Sequence, residues 1–414
     1  MENKPKIIVV GGGPAGMMAA GTAALNGCDV ILIEKNKKLG RKLLITGKGR
    51  CNLTNACESV NELIENVTKN PNFMYSSFYS FTNEDTMAFF EKLGVELKVE
   101  RGKRVFPVSD SSKTIVDALE KFLKDNKVRI LFDTVDEICV ENSEIIGVKT
   151  QEKGFISCDK VILATGGLSY QTTGSTGDGL WWSEDLGHTV VTPVPSLVPL
   201  KTIEEWVPRL QGLSLKNVSI SVFDEKNKKV YSDFGEMMFA HFGVTGPVIL
   251  SASAHLRPMR EEKYKIFVDL KPALDEKQLD IRILRDFSEN INKNIYNCMK
   301  NLLPVKLVDV FLEICNIDSN KKVNLITKEE RKTIIKNLKG IELTVLDYCP
   351  IEMAIITSGG VSVKEINPST MESKIVKNLY YAGEIIDVDA YTGGFNLQIA
   401  FSTGYLAGVS VSET

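Results

Sequence analysis

The chain has 414 residues, 43% of them apolar, with 50 Lys and Arg against 53 Asp and Glu for a formal charge of −3. That length is too great for one compact core, so two or three domains are expected, and the near balance of charge gives no whole-chain field to draw the protein to nucleic acid or an anionic membrane. The longest apolar stretches are broken by glycine or charge short of the ~20 residues that cross a bilayer. The eight cysteines form neither a CxxC pair nor a cluster with the three histidines. The expectation is a cytoplasmic enzyme with reduced thiols, no structural metal, a small-molecule substrate and neither a membrane nor a nucleic-acid partner. The opening Met1-Glu2-Asn3-Lys4-Pro5-Lys6 mimics a signal peptide, but the apolar region behind it is a glycine turn whose removal would destroy the fold.

That turn, Gly11-Gly12-Gly13-Pro14-Ala15-Gly16, follows the apolar run Ile7-Ile8-Val9-Val10. A second run, Val30-Ile31-Leu32-Ile33, ends in Glu34, 18 positions after Gly16. The pattern predicts a strand, a helix and a second strand that together hold a dinucleotide. Gly11 permits the tight turn, Gly13 lets backbone N–H groups approach a pyrophosphate, and Gly16 lets the helix pack closely on the strand. Glu34 is placed to accept hydrogen bonds from an adenosine ribose. An ordinary strand–helix–strand turn does not explain the glycine spacing and the acid together.

Residues 39–55 then form a glycine-rich, cationic loop too long for a mere connector. Asn83-Glu84-Asp85, leading to Met87, Phe89, Phe90, Leu93 and Gly94, reads as a capped amphipathic helix with a glycine stop. Three short alternating pieces at 128–132, 137–140 and 145–149 read as a β-meander. The strand-like 159–163 opens on Ala164-Thr165-Gly166-Gly167 and returns the chain to its main sheet. Prolines 193, 195, 199 and 208 mark a linker, strand-like runs fill 213–270, and 275–340 reads as helical, with Leu307, Val308, Phe311, Leu312 and Cys315 on one face. The predicted organisation is α/β: a Rossmann-type domain at 1–190 completed by 357–414, carrying an inserted β-rich domain at 191–274, a small helical domain at 275–340 and return strands at 341–356.

Asn378-Leu379-Tyr380-Tyr381-Ala382-Gly383-Glu384 favours FAD over NAD. A short strand ends in Gly-Glu, and Gly393-Gly394-Phe395-Asn396-Leu397-Gln398 opens a helix, offering a carboxylate to ribityl hydroxyls and a helix N-terminus to a pyrimidine-like edge. With these stretches the chain resembles FAD proteins built like the FAD domain of glutathione reductase. More narrowly, it is similar to the bacterial BaiN/YhiN flavoproteins, also labelled aminoacetone-oxidase-like. The stretches that carry the resemblance are 47–55, Glu236-Met237-Met238-Phe239-Ala240-His241-Phe242-Gly243-Val244-Thr245-Gly246-Pro247, Thr357-Ser358-Gly359-Gly360-Val361, Thr370-Met371-Glu372-Ser373-Lys374 and 383–398. The resemblance implies noncovalent FAD with its pyrophosphate at Gly11, Gly13 and Gly16, ribose at Glu34, adenine near Val135 and ribityl chain at Glu384. The flavin ring would lie between Arg50-Cys51-Asn52 and Asn396-Leu397-Gln398, with Pro14, Ala15, Lys35, Arg41, Lys42, Gly47, Thr165, Gly166 and Gly383 as further contacts. Two positions depart from the family: Lys48 replaces a usual glycine, and Trp181-Trp182 replace smaller residues.

A flavin needs a hydride donor near N5 and stabilisation of the anion that develops near N1 and O2, which the N–H groups opening the Asn396-Leu397-Gln398 helix can supply. Cys51 and Cys57 are one residue farther apart than the pair of disulfide reductases, and neither a second GxGxxG nor a C-terminal His-Pro pair is present. Cys51 remains a candidate catalytic residue and flavin contact. His241, in a glycine-flanked loop, is a candidate catalytic or substrate-contacting residue, its plain alternative being a hydrogen-bonded interface histidine. Trp181 and Trp182 read as packing residues rather than a substrate platform. The activity that the resemblance implies is reduction of a C=C conjugated to a ketone on an apolar, bile-acid- or steroid-like substrate, with NAD(P)H as reductant. The alternatives are oxidation of a small amine with release of hydrogen peroxide, and an RNA-binding or tRNA-modifying flavoprotein, against which the balanced charge counts.

Overall fold

The computed structural model describes residues 4–413, so the first three residues of the signal-peptide-like start lie outside the described part. The chain divides into two compact units, one comprising residues up to Ser196 and from Ile351 onward, the other Leu197–Pro350.

The first unit is built on a five-stranded parallel sheet in the order Leu379–Tyr381, Lys160–Leu163, Lys6–Val10, Asp29–Glu34, Arg129–Phe132. Its central strands are apolar on both faces, as a sheet covered on both sides requires, and Ile7, Ile8, Val9 and Leu32 are fully buried. Helix Pro14–Leu25 follows the first strand and lies against the C-terminal helix Phe395–Glu413. Small residues set this contact: a Cβ on Gly404 would sit 2.4 Å from the Ala15 carbonyl oxygen, and one on Gly408 2.6 Å from that of Ala19. The apolar runs expected as strands both lie in this sheet, where Lys160–Leu163 pairs with the first strand and Leu379–Tyr381 pairs outside it.

Three expectations are corrected here. The first piece of the expected meander, Arg129–Phe132, is the edge strand of the parallel sheet, beside Asp29–Glu34, and the meander consists of Val135–Glu141, Glu144–Thr150 and Gly154–Ser157. Alternation shows that a segment is a strand but not which neighbour it pairs with. Helix Asn83–Lys92 is capped by Thr82 rather than by Asn83: the Asp85 N–H donates to Thr82 Oγ1 at 3.0 Å, and the Thr82 N–H to Asp85 Oδ2 at 2.9 Å. Pro193 and Pro195 belong to strand Val190–Ser196, which pairs antiparallel with Ile356–Val361 in a two-stranded ribbon. Each member of such a ribbon has an open edge, where a residue lacking an N–H is tolerated.

The second unit contains a closed six-stranded barrel in the order Leu200–Thr202, Gly243–Thr245, Lys229–Ala240, Ser214–Phe223, Lys265–Asp269, Ile341–Tyr348. The helical stretch is an excursion between two neighbouring barrel strands, since Lys265–Asp269 and Ile341–Tyr348 pair directly with Val268 opposite Ile341. Helices Glu276–Glu289 and Lys328–Lys339 both start in capping boxes and are tied together by Arg331 Nε, 2.7 Å from Asp280 Oδ1. Among the described residues no helix is long and apolar enough to cross a membrane.

Candidate flavin site

The glycine turn separates into two kinds of constraint. A Cβ on Gly11 (φ 107°) would fall 2.5 Å from the Ala164 carbonyl oxygen, and one on Gly16 1.8 Å from the Gly11 carbonyl oxygen, so both glycines are fixed by protein backbone. Gly13 is different: its φ of −79° and ψ of −177° suit any residue, and a Cβ there would meet nothing within 4 Å. The turn thus leaves open space beside the N-terminus of helix Pro14–Leu25, where an anion is favoured.

Glu34 is nine-tenths buried at the end of its strand. Its Oε2 accepts the Gly12 N–H at 2.8 Å, while Oε1 accepts the Asn36 N–H at 2.8 Å and Asn36 Nδ2 at 2.6 Å. Asn36 in turn accepts from Arg41 Nη1 and donates to the Thr173 carbonyl at 3.2 Å. Lys35 Nζ lies 2.6 Å from Asp178 Oδ2 and also bonds Thr176 Oγ1. The segment around 173–178 therefore clasps the end of the Glu34 strand. The sequence reading assigned that segment no role, although its density of glycine and hydroxyl residues was a visible signal. Val135, buried, opens the first strand of the meander.

Glu384 does not stand alone either. Lys42 Nζ approaches its Oε2 at 2.6 Å, while its Oε1 accepts the Thr357 N–H at 2.9 Å and Ser169 Oγ at 3.2 Å. Lys42 also reaches Ser169 Oγ at 2.7 Å. Four segments distant in sequence meet at this carboxylate. The preceding Gly383 has a φ of 78°, and a Cβ there would sit 2.7 Å from that of Ala15.

The loop expected beside the ring is a run of left-handed residues, Gly47, Lys48, Gly49 and Cys51, with φ of 57°, 59°, 82° and 61°. Arg50 turns to Glu100 and Asp110 and lies 4.2 Å over the Phe106 ring, so its guanidinium anchors the loop to neighbouring protein. Cys51 is fully buried, and burial pushes its thiol up to about 12; Cys57 is pushed up to about 12 for the same reason. Both are neutral thiols at physiological pH, poorly suited to nucleophilic attack. All eight cysteines are free, and Cys139 alone is half-exposed. Titrating the native protein with a disulfide reagent at pH 8 is therefore expected to modify Cys139 first and the other seven only on unfolding. Rapid modification of Cys51 would contradict its burial.

At the opening of the C-terminal helix the side chains of Asn396 and Gln398 are engaged within the protein. Asn396 Oδ1 accepts the Ala390 N–H at 3.0 Å, and its Nδ2 donates to the Ala390 and Tyr391 carbonyls at 2.8 and 3.2 Å. Gln398, fully buried, accepts from Thr54 Oγ1 at 2.6 Å and donates to the Phe81 carbonyl at 3.1 Å and to Ser402 Oγ at 2.9 Å. What this opening offers a ligand is the backbone N–H groups of the first turn, around Leu397, which no helix satisfies internally.

Among the described residues of this unit, the buried polar atoms Asn52 Oδ1, Thr165 Oγ1, Ser358 Oγ and Asp387 Oδ1 have no aligned hydrogen bond, although Lys69 Nζ lies 2.6 Å from the last. Thr165 precedes Gly166 (φ 77°) at the end of the Lys160–Leu163 strand, and Asn52 follows Cys51. Orphaned buried polar atoms are costly, and a polar ligand is one way such an atom gains its missing partner.

His241 belongs to the second unit, exposed in the turn between strands Lys229–Ala240 and Gly243–Thr245, its ring edge-on to Phe242 at 4.9 Å. In the first unit, Trp182 packs on the core and donates Nε1 to the Asp136 carbonyl at 3.1 Å, whereas Trp181 is 60% exposed.

Residues 5–410 match the family described as HI0933-like protein Rossmann domain. The chain belongs to this family. As an HI0933-like protein it is an FAD-dependent oxidoreductase, and the open glycine turn, the paired carboxylates and the orphaned polar atoms fit that cofactor, which supplies hydride transfer when bound. The chain is 30% identical to the 3-dehydro-bile acid delta(4,6)-reductase of Clostridium scindens, over 99% of both proteins. It is 29% identical to the ribosomal RNA dihydrouridine synthase of Haemophilus influenzae, over the whole of both. The 3-ketosteroid delta1-dehydrogenase of Sterolibacterium denitrificans shares its fold, with a TM-score of 0.51 over 99% of each chain at 12% identity.

Proposed function

We propose that this HI0933-like flavoprotein reduces a C=C conjugated to a ketone on an apolar, bile-acid- or steroid-like substrate, with NAD(P)H as the source of electrons. The observation that carries the reading is full-length similarity, at 30% identity, to a protein named as a bile-acid reductase. The site supports it. Two thiols pushed up to about 12 leave thiol–disulfide chemistry without a thiolate, so the cofactor must carry the redox step while the protein shapes and polarises the space beside it. The residues expected to hold FAD are Gly11, Gly13 and Gly16 at the pyrophosphate, Glu34 at the ribose, Glu384 with Lys42 at the ribityl chain, and the first-turn N–H groups around Leu397 at the pyrimidine edge. His241 and Cys51 stay candidates for substrate contact, Cys51 as a neutral hydrogen-bond donor.

A second reading is favoured by the relative named as a ribosomal RNA dihydrouridine synthase, which matches the whole chain almost as well. The C5=C6 bond of uracil is itself conjugated to a carbonyl, so the two substrates ask for one chemistry and differ in size and charge. The near-balanced charge of this chain favours the apolar substrate.

Anaerobic stopped-flow mixing separates the readings. Reduced enzyme is expected to be reoxidised faster by a steroid 4-en-3-one than by air, and NADH or NADPH to reduce the oxidised enzyme within the turnover time. Rapid reduction by aminoacetone with peroxide release would establish the amine oxidase instead. Dihydrouridine formed in ribosomal RNA, with no response to the enone, would establish the RNA reading.

A further inference from the structure

Thr54 and Gln398 stand 344 positions apart, yet Thr54 Oγ1 donates to Gln398 Oε1 at 2.6 Å, with both side chains fully buried. The groups on the far side of the amide fix its orientation. The Phe81 carbonyl can only accept, so it takes an N–H of Gln398 Nε2 at 3.1 Å and leaves Oε1 turned to Thr54. Nε2 also donates to Ser402 Oγ at 2.9 Å, and Ser402 Oγ donates to the same Phe81 carbonyl at 2.6 Å. The Gln398 amide is thereby held at both ends.

Around this bond the backbones close on one another. A Cβ on Gly394, whose φ is 103°, would fall 2.3 Å from the carbonyl carbon and oxygen of Thr54, so glycine is what admits the approach. Beside it, Asn55 Nδ2 donates to the Gly393 carbonyl at 3.1 Å. Thr54–Asn55 is itself braced: it pairs with strand Arg104–Pro107, and Asn83 Nδ2 donates to the Asn55 and Cys57 carbonyls at 3.0 and 2.9 Å. Farther along, Gly404 and Gly408 fix the body of the C-terminal helix against Ala15 and Ala19, while the Thr54 contact fixes its opening. The first intrahelical bond runs from the Gln398 N–H to the Gly394 carbonyl at 3.0 Å. The N–H groups of Phe395, Asn396 and Leu397 precede it, and their direction follows this turn.

We propose that Thr54 and Gln398 are positioning residues for the cofactor: their hydrogen bond holds the first-turn N–H groups of helix Phe395–Glu413 where they stabilise the negative charge that reduction places on the pyrimidine edge of the flavin. The inference rests on the placement of that edge at this helix. Both side chains are engaged by protein, so they act through the backbone of the turn. Fixed dipoles stabilise a developing charge because they need not reorganise to meet it. A loosened turn forfeits part of that gain, while the contacts expected at Gly11, Gly13, Gly16 and Glu34 stay as they are. Thr54→Val keeps the shape of the side chain and removes its donor, which leaves Gln398 Oε1 buried without a partner.

The two-electron midpoint potential of the bound flavin reads the effect. Thr54→Val holoenzyme is expected to carry FAD at a potential about 30 mV below wild type, equivalent to about a tenfold loss in the preference for reduced over oxidised flavin. Thr54→Ser, which restores the donor, should return to the wild-type value. Ser402→Ala, which takes one acceptor from Gln398 Nε2, should shift the preference in the same direction by about threefold, and it decides the matter if Thr54→Val does not fold. Thr86→Val removes a buried hydroxyl that donates to the Thr82 carbonyl at 3.0 Å, and should lower the melting temperature without moving the potential. Reconstitution with 8-mercapto-FAD adds a spectroscopic signature, because stabilised negative charge at the pyrimidine edge turns the red thiolate form of the analogue into a blue quinoid one. Wild type is expected to hold it blue and Thr54→Val to shift it toward red. Unchanged potentials in Thr54→Val and Ser402→Ala, or an equal shift in Thr86→Val, overturn the positioning role while the cofactor placement stands. A wild type that holds the analogue red removes the pyrimidine edge from this helix, and the proposal falls with it.

Discussion

Gly13→Val is expected to yield a folded protein without FAD. The backbone at Gly13 lies where any residue is allowed, and its Cβ would meet no protein atom within 4 Å, so the variant loses little beyond a helix-cap contribution of about 1 kcal/mol. The space the side chain fills is that expected for the pyrophosphate, and two added methyl groups there should raise the Kd for FAD at least about 100-fold, equivalent to about 3 kcal/mol. Gly16→Val provides the contrast: its Cβ would lie 1.8 Å from the Gly11 carbonyl oxygen, so that variant should fail to fold rather than lose ligand selectively. Flavin absorbance per protein, thermal melting and chromatography of the released cofactor check all three statements. Stoichiometric FAD in Gly13→Val, or FMN alone released from wild type, would contradict the placement.

Replacing 197–350 by a short Gly-Ser linker is expected to leave FAD binding and remove turnover. The graft is geometrically sound because the chain leaves and re-enters the first unit on paired strands, Ser196 lying opposite Ile356, so a few residues span the gap. The first unit also has its own sheet and core, from Ile7 through Ile162 to Tyr381 and Phe401. All the residues expected to hold FAD lie in it. The second unit carries His241, proposed above for substrate contact, and its removal is expected to lower steady-state reduction of the enone by more than about a thousandfold. A shortened protein that turns over normally would place the whole reaction in the first unit.

The strands, the glycine turn and the acid at 34 were legible in the chain because each is a local pattern. Four consecutive apolar residues, glycines at fixed offsets and a carboxylate at the next strand end are all found within 34 positions. The same holds for the glycine before Glu384 and for the helix that begins at Phe395. The expected side-chain roles were less legible, because they depend on partners the chain brings from far away. Arg50 is expected as a cofactor contact, and its side chain is held by Glu100 and Asp110; the Gln398 amide is engaged by Thr54 and Phe81, more than 300 positions distant, partners that no local pattern announces.

Periodicity therefore determined which segments are strands and helices, and backbone sterics determined where glycine was needed. Pairing and partnership were decided only by tertiary structure. Arg129–Phe132 alternates like the meander strands that follow it, and only the packed sheet selects Asp29–Glu34 as its neighbour. The barrel likewise closes by bringing Ile341–Tyr348 against Lys265–Asp269 across a helical excursion that no local pattern measures. The same long-range pairing sets Lys69 opposite Asp389. The physical reason is common to all three: a strand's hydrogen bonds and a buried charge's partner are satisfied across space, by whichever segment the whole core brings within 3 Å.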